Sequence, residues 1–342
     1  MREYIMRNRI CTIIGTVLCY VLIVLLLTVC SLDGSDNDNS GASAGPGVYI
    51  AGTYVNFGMR SACYWKDGVK TDLHGEGDFP EAIAIADGNI YIVSDFSSAG
   101  YWKNGVLKNL PGSNNYPLAI AVAQNGDIYI AGWHINSGYV TACYWKNGVI
   151  TDLYDGSNRS SASGIAIAQN GDVYIAGGYN NGSMDIACYW KNGIKADLPG
   201  DHCSANAIAI APNGDVHVAG ARSTGSYTAY YWKNGVSTEL GPGSANVIAM
   251  APNGDVYVAG TSEGSNNTAC YWKNGVKADL PGGTGSSAAN AIAIAQNGDI
   301  YFAGYYNVGL TTIACYWKNG VKTDLPAGSG DSQACGIAIV EE

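Results

Sequence analysis

Four histidines, ten cysteines and 28 acidic residues are the groups in this 342-residue chain able to carry acid–base, nucleophilic or metal chemistry. They assemble none of the motifs in which such chemistry is concentrated. The chain has no His-Glu-x-x-His to hold zinc, no Gly-x-Ser-x-Gly elbow, no phosphate-cradling Gly-rich loop and no Cys-x-x-Cys pair. His74, His134, His202 and His217 are scattered, so no metal site is expected, and no cofactor is implied. Glu76, Asp78, Asp155, Asp201, Glu263 and Asp331 fall in loop-like stretches. Two of them at the separation of a glycosidase pair would make a polysaccharide hydrolase or lyase. The expectation from the missing motifs is a protein that is not an enzyme.

The cysteines point to packing. Cys63, Cys143, Cys188, Cys270 and Cys315 each precede a Tyr-Trp at the same point of a recurring segment. Equivalent positions in neighbouring repeats lie too far apart for a disulfide, which needs Cα atoms within about 7 Å. They read as small buried apolar groups. Cys203 and Cys335 stand outside this set.

That recurring segment organises everything after Pro46. Tyr-Trp-Lys-(Asn/Asp)-Gly occurs seven times, around Trp65, Trp102, Trp145, Trp190, Trp232, Trp272 and Trp317, at spacings of 37, 43, 45, 42, 40 and 45 residues. A period near 42 is that of propeller blades. Each period divides into four strands: A (as in AIAIA), B (DVYIAG), C (ACYW) and D (VKTDL). Asn-Gly turns join A to B and C to D. Strand A offers bulk on one face and only methyl groups on the other, which suits the crowded axis of a propeller. The Tyr of B and the Trp of C fill the wider outer gaps. The repeats open on a B strand (Gly47-Val-Tyr-Ile-Ala-Gly) and end on an A strand (Gly336-Ile-Ala-Ile-Val), so the last strand is expected to complete the first blade. An open array would leave unpaired edges at both ends. The expected fold is an all-β, seven-bladed propeller over 47–342, four antiparallel strands per blade, closed by the C-terminal strand.

Residues that break the repeat are the candidate binding groups. In a propeller the B–C and D–A connections share one face, and here they vary while the opposite turns barely change. The second residue past strand B's Ala-Gly is Tyr54, Phe96, His134, Tyr179, Arg222, Ser262 or Tyr306, and Trp133 and Tyr305 lie one residue earlier. Such rings stack on sugars or anchor a protein partner when exposed; when packed, they cap the gaps between blades. The residue opening strand A at the channel mouth is Glu81, Leu118, Ser163, Asn206, Asn246, Asn290 or Cys335. A polar mouth coordinates a ligand, or satisfies strand-end backbone groups. The C–D lysines (Lys66, Lys103, Lys146, Lys191, Lys233, Lys273, Lys318) and the A–B acids (Asp127, Asp172, Asp215, Asp255, Asp299) recur in phase and read as scaffold.

The first 46 residues follow a different logic. Arg2, Arg7 and Arg9 lead into an apolar run from Ile10 to Val29, then into a polar stretch. That order is an export signal or membrane anchor over 1–30, followed by a flexible linker over 31–46. Leu27-Thr-Val-Cys30 resembles a lipobox ending in a lipidated Cys30, although Val29 departs from the usual small residue; an uncleaved transmembrane anchor and simple secretion stay open. Asp36-Asn-Asp38-Asn-Ser40-Gly41 imitates the start of a calcium loop but has Gly47 where the closing Glu belongs, so it reads as linker. A net charge of −10, with no basic cluster, excludes nucleic acid as a partner.

With Trp, Asn-Gly and Asp-Leu in each unit, the copies resemble HAF-type extracellular repeats, with Ala-Cys-Tyr-Trp in place of the His-Ala-Phe element. The resemblance covers Gly47 to Glu342 and implies an exported propeller without implying an activity. The functional expectation is a monomeric, membrane-anchored binding module of the bacterial envelope for a protein or glycan. The alternatives are an envelope-assembly scaffold lipoprotein and the polysaccharide hydrolase or lyase.

Overall fold

A computed structural model describes residues 43–342 except 57, 77, 96–98, 113, 155–157 and 329, and it leaves the side chains of 74–76 undescribed. Cys30, the 1–30 segment, the Asp36–Gly41 stretch, Phe96 and Asp155 lie outside the described residues.

The chain is all-β. Five antiparallel sheets of four strands and one of seven account for it. The first joins the first and last described strands: Ser332–Val340 pairs with Gly47–Asn56, followed by Met59–Lys66 and Val69–Glu76. Next come Pro80–Ala86 with Asn89–Ser94, Gly100–Lys103 and Val106–Asn109, and Asn115–Val122 with Ile128–Asn136, Tyr139–Lys146 and Val149–Asp152. A fourth sheet holds Ser160–Ile167, Val173–Asn180, Asp185–Lys191 and Ile194–Asp197. In the seven-stranded sheet, Cys203–Ile210, Val216–Ser223 and Tyr227–Lys233 meet Val236–Met250. That long strand serves as D for this unit and as A for the next, with Val256–Ser262, Thr268–Lys273 and Val276–Asp279. Ser287–Ile294, Ile300–Val308, Thr311–Lys318 and Val321–Asp324 make the last sheet.

The two kinds of hairpin turn are built differently. At each C–D turn both central residues have positive φ, as at Asn147 (50°) and Gly148 (82°), which is the geometry Asn-Gly supplies. At five of the six A–B turns only the Gly does, as at Gly126 (83°), while in the second sheet Asp87 (49°) and Gly88 (70°) both do. The Asn there works through its side chain: Asn125 Oδ1 accepts from the Asp127 N–H at 3.1 Å. The C–D Asn then ties the two turns together. Asn147 accepts from the Ile128 N–H at 2.9 Å and donates to Asp127 Oδ1 at 2.7 Å, while Lys146 reaches Asp127 Oδ2 at 2.8 Å. The same clamp recurs at Asp172, Asp215, Asp255 and Asp299.

Every A–B pairing also carries a one-residue bulge, and the bulged residue is always the one that sequence places at the channel mouth: Cys335, Glu81, Leu118, Ser163, Asn206, Asn246 or Asn290. Opposite it strand B needs a glycine in six of the seven units. A Cβ on Gly52, Gly132, Gly177, Gly220, Gly260 or Gly304 would sit 2.0 to 2.2 Å from a strand A carbonyl oxygen.

Neighbouring sheets meet through their A strands. Ser332–Val340 packs against both Pro80–Ala86 and Ser287–Ile294, and the other A strands each contact the next in chain order. The seven repeat tryptophans are fully buried in the gaps. Four donate their indole N–H to a carbonyl at the end of the preceding unit's D strand: Trp232 to Pro199 (2.9 Å), Trp272 to Leu240 (3.0 Å), Trp317 to Pro281 (2.7 Å) and Trp65 to Pro326 (2.7 Å). All seven described cysteines are free and buried. Burial pushes the Cys270 thiol up to about 12 and those of Cys63, Cys143, Cys188 and Cys315 higher still, which leaves no reactive thiolate among these five.

Candidate interaction face

Among the described residues, the row of aromatic residues past strand B does not present free rings. Tyr54 and Tyr306 are 8% and 6% exposed, the packed arrangement of the two that their types allow. The reason lies two strands away on the same sheet. Lys70 Nζ sits 3.3 Å above the Tyr54 ring, Lys195 3.6 Å above Tyr179 and Lys322 3.2 Å above Tyr306. The neighbouring D-strand carboxylates hold the other ends: Tyr179 donates to Asp197 (3.1 Å) and Tyr306 to Asp324 (3.0 Å), and Lys70 pairs with Asp72 at 2.8 Å. Burial works to lower the Lys70 pKa, and the contacts with Asp72 and Tyr54 more than offset it, so it rises. His134 occupies the equivalent place and meets Asp152 through Nε2 at 2.8 Å. Trp133 stacks on Tyr116 with centroids 3.7 Å apart, Arg222 lies over Tyr230 at 5.8 Å, and Tyr305 is half-buried opposite Ala314. Buried and with one face covered by an ammonium group, the rings of Tyr54 and Tyr306 have no face left for a sugar.

The bulged residues turn inward. Asn206, Asn246 and Asn290 are buried, and each donates its side-chain amide to the carbonyl just before the next bulge: Ala245 O at 3.0 Å, Ala289 O at 3.3 Å and Ala334 O at 3.0 Å. Glu81 stands at the corresponding position of the second sheet, where a carboxylate has no proton to donate. It is 8% exposed and its Oε2 has no partner. Burial, reinforced by the charges of Asp95 and Cys335, drives its pKa well above the usual carboxylate range. Asp95, at the end of that sheet's B strand, is pushed up to about 6 by burial, with its own backbone N–H opposing and Asp78 adding. This sheet is also the one whose strand B reads Ile-Val-Ser in place of Ile-Ala-Gly. Among the described residues no three His, Cys, Asp or Glu groups come together to hold a metal.

The face also exposes apolar side chains, which reasoning from aromatic rings missed. Met59, Ile135, Tyr139, Val308 and Leu310 project at the B–C tips of the first, third and last sheets, and Leu310 is fully exposed. The signal was present as apolar residues flanking a loop glycine. In the other described B–C loops the same places hold Asn181-Gly-Ser183, Thr224-Gly-Ser226 and Glu263-Gly-Ser-Asn266.

No family model matches the chain, HAF-type repeats included, and no curated protein does. Solved structures do. A quinoprotein alcohol dehydrogenase-like protein from Bacteroides thetaiotaomicron aligns at 12% identity over 85% of this chain and 78% of its own, with a TM-score of 0.51. TolB from Acinetobacter baumannii aligns at 11% identity over 93% and 97%, with a TM-score of 0.46. At such identity the first likeness shows the fold alone, an all-β arrangement of the β-propeller kind.

Proposed function

We propose that this is an exported, membrane-anchored propeller of seven blades, closed by its last strand, that binds a protein partner through the B–C tips. The pairing of Ser332–Val340 with Gly47–Asn56, the contacts between successive A strands and the bond from Trp65 to Pro326 support a closed ring. The observation that carries the binding reading is the set of exposed aliphatic and aromatic tips, Met59, Ile135, Tyr139, Val308 and Leu310, on three B–C hairpins whose counterparts are polar. Exposed apolar groups gathered on one face mark interaction sites. They favour a protein over a glycan, because the rings best placed for stacking on sugars are covered by Lys70, Lys195 and Lys322. An envelope-assembly scaffold would use the same tips. The hydrolase or lyase reading would fall to the buried acids Glu81 and Asp95 and the loop carboxylates around them.

A photo-crosslinking side chain at position 310 or 139, in the full chain expressed in its own cells, tests this. Discrete protein adducts at both, absent with the crosslinker at 182, are the expected result, and Leu310→Ser with Tyr139→Ser should abolish binding of the crosslinked protein. Glycan-array binding that survives this double substitution, with no adduct, would move the reading to a lectin. Hydrolysis of a polysaccharide lost in Glu81→Gln would move it to an enzyme.

A further inference from the structure

The face opposite the B–C tips carries one exposed aliphatic side chain in every unit. It is the first residue of each D strand, directly after the glycine of the C–D turn: Val69, Val106, Val149, Ile194, Val236, Val276 and Val321, between 48% and 76% exposed. The hairpin itself does not require them. Threonine has the same branched shape and strand preference without an apolar surface, and the solvated turns around these residues are otherwise built from Lys, Asn, Gly and Asp. A set of exposed aliphatic groups on one side of a molecule, repeated in every unit, calls for a partner.

Two further observations say which. The chain enters on this face. Ala44 donates its N–H to Gly88 O at 2.7 Å in the A–B turn of the second sheet, Tyr49 donates its hydroxyl to Gly45 O at 2.8 Å, and the Val48 N–H meets Asp67 Oδ1 of the first C–D turn at 2.8 Å. The sequence before it holds the apolar run from Ile10 to Val29, and the stretch from there to Ser43 spans no more than about 50 Å even when fully extended. The second observation is charge. On the turns, Asp127, Asp172, Asp215, Asp255 and Asp299 are each neutralised by a lysine of the adjoining turn. Acids clamped in this way add little repulsion against anionic headgroups.

We infer that the turn face rests on the bilayer into which the N-terminal segment inserts, with the seven Val and Ile side chains at headgroup depth. The lysines beside them lay their alkyl stems along the same surface and keep their ammonium groups in water. The B–C tips then point away from the membrane. This inference rests on the proposed anchoring of the chain.

The full chain in phosphatidylcholine vesicles that contain a diazirine-bearing phosphatidylcholine tests it, without any substitution. Flotation with the vesicles is read first, because a chain that stays behind overturns the anchoring and the docking together. In the floated chain, lipid adducts are expected on the peptides that span Val149, Ile194, Val236 and Val276, and not on the peptide that spans Val308 to Leu310. Adducts on the loop tips, or none on the propeller, in a chain that floats would overturn the docking and leave the anchoring standing. Replacing Val149, Ile194, Val236 and Val276 together by threonine should cut the turn-face labelling severalfold while flotation persists. Undiminished labelling would overturn the role given to these side chains.

Discussion

The side-chain amide of Asn206 donates to the carbonyl of Ala245 at 3.0 Å, so that the bulge of one A strand is tied to the A strand of the next unit. Asn246 repeats the link to Ala289 and Asn290 to Ala334. The bulge makes this possible by removing one residue from the A–B ladder and freeing its side chain to cross the gap. Removing the amide leaves a buried carbonyl unpaired, a loss of roughly 1–3 kcal/mol. Asn206→Ala should therefore lower the unfolding free energy by that amount, read as a fall in the denaturant midpoint at an unchanged m-value. Asn206→Asp should cost more, since a carboxylate facing a carbonyl oxygen has nothing to donate. A midpoint within error of the parent for both would remove the ladder from the account of how the units cohere.

Gly220 illustrates how little room the bulge leaves. A methyl group there would lie 2.0 Å from Ser204 O and 2.9 Å from the Trp232 ring, and neither can retreat without opening the A–B ladder or the gap between units. Gly220→Ala is expected to destabilise by more than about 2 kcal/mol, at the upper end of what overpacking costs. The comparison is Gly225→Ala, where a Cβ meets nothing but φ is +102°. Backbone strain of roughly 1 kcal/mol is the whole cost there. Equal losses in thermal denaturation of the two variants would show that contact with Ser204 is not what selects glycine.

The tryptophans divide into two groups that sequence does not separate. Trp232 donates to Pro199 O, whereas Trp190 Nε1 is buried without a hydrogen-bond partner. Replacement by phenylalanine removes similar volume from both. At position 232 it also strands a carbonyl, so Trp232→Phe should exceed Trp190→Phe in cost by about 1 kcal/mol. Urea unfolding of the pair decides it, and a larger loss at 190 would contradict the assignment of Pro199 as the acceptor.

Much of this architecture was legible because it repeats. The period set by the seven tryptophans, the phase that starts on strand B and ends on strand A, and the buried cysteines all follow from residue type and spacing. The site was less legible, because burial depends on neighbours that sequence does not place. Tyr54 and Lys70 are 16 residues apart and separated by a strand, and nothing in their spacing says that the ammonium group covers the ring. The same holds for the turns. Asn125 and Asn147 both precede a glycine, yet only Asn147 takes the positive φ that Asn-Gly suggests; Asn125 contributes a side-chain bond instead. Leu310 beside Gly309 carries a signal of its own, an apolar residue flanking a loop glycine.

Two sets of carboxyl groups should give stability a maximum in pH. Lysine and asparagine hydrogen bonds hold Asp127, Asp172 and Asp255 down to about 2, below the unfolded value near 3.8. Their contribution is present above that unfolded value and is lost as pH falls toward 2. Glu81 and Asp95 act in the opposite sense. Burial raises both, so the folded state keeps protons that the unfolded chain releases, and stability falls as pH rises through the unfolded values. For Asp95 the loss levels off above about pH 6, and Glu81 adds to it in the same direction. Melting temperature should thus peak near the unfolded carboxyl values and decline on either side. Glu81→Gln removes the ionisation while keeping the shape, and its amide is able to donate as Asn206 does. It should match the parent near the peak and exceed it increasingly toward neutral pH, with the acid limb unchanged. A parent whose melting temperature climbs steadily to neutral pH, or a Gln variant with the parent's profile, would mean that Glu81 is not held protonated in the fold.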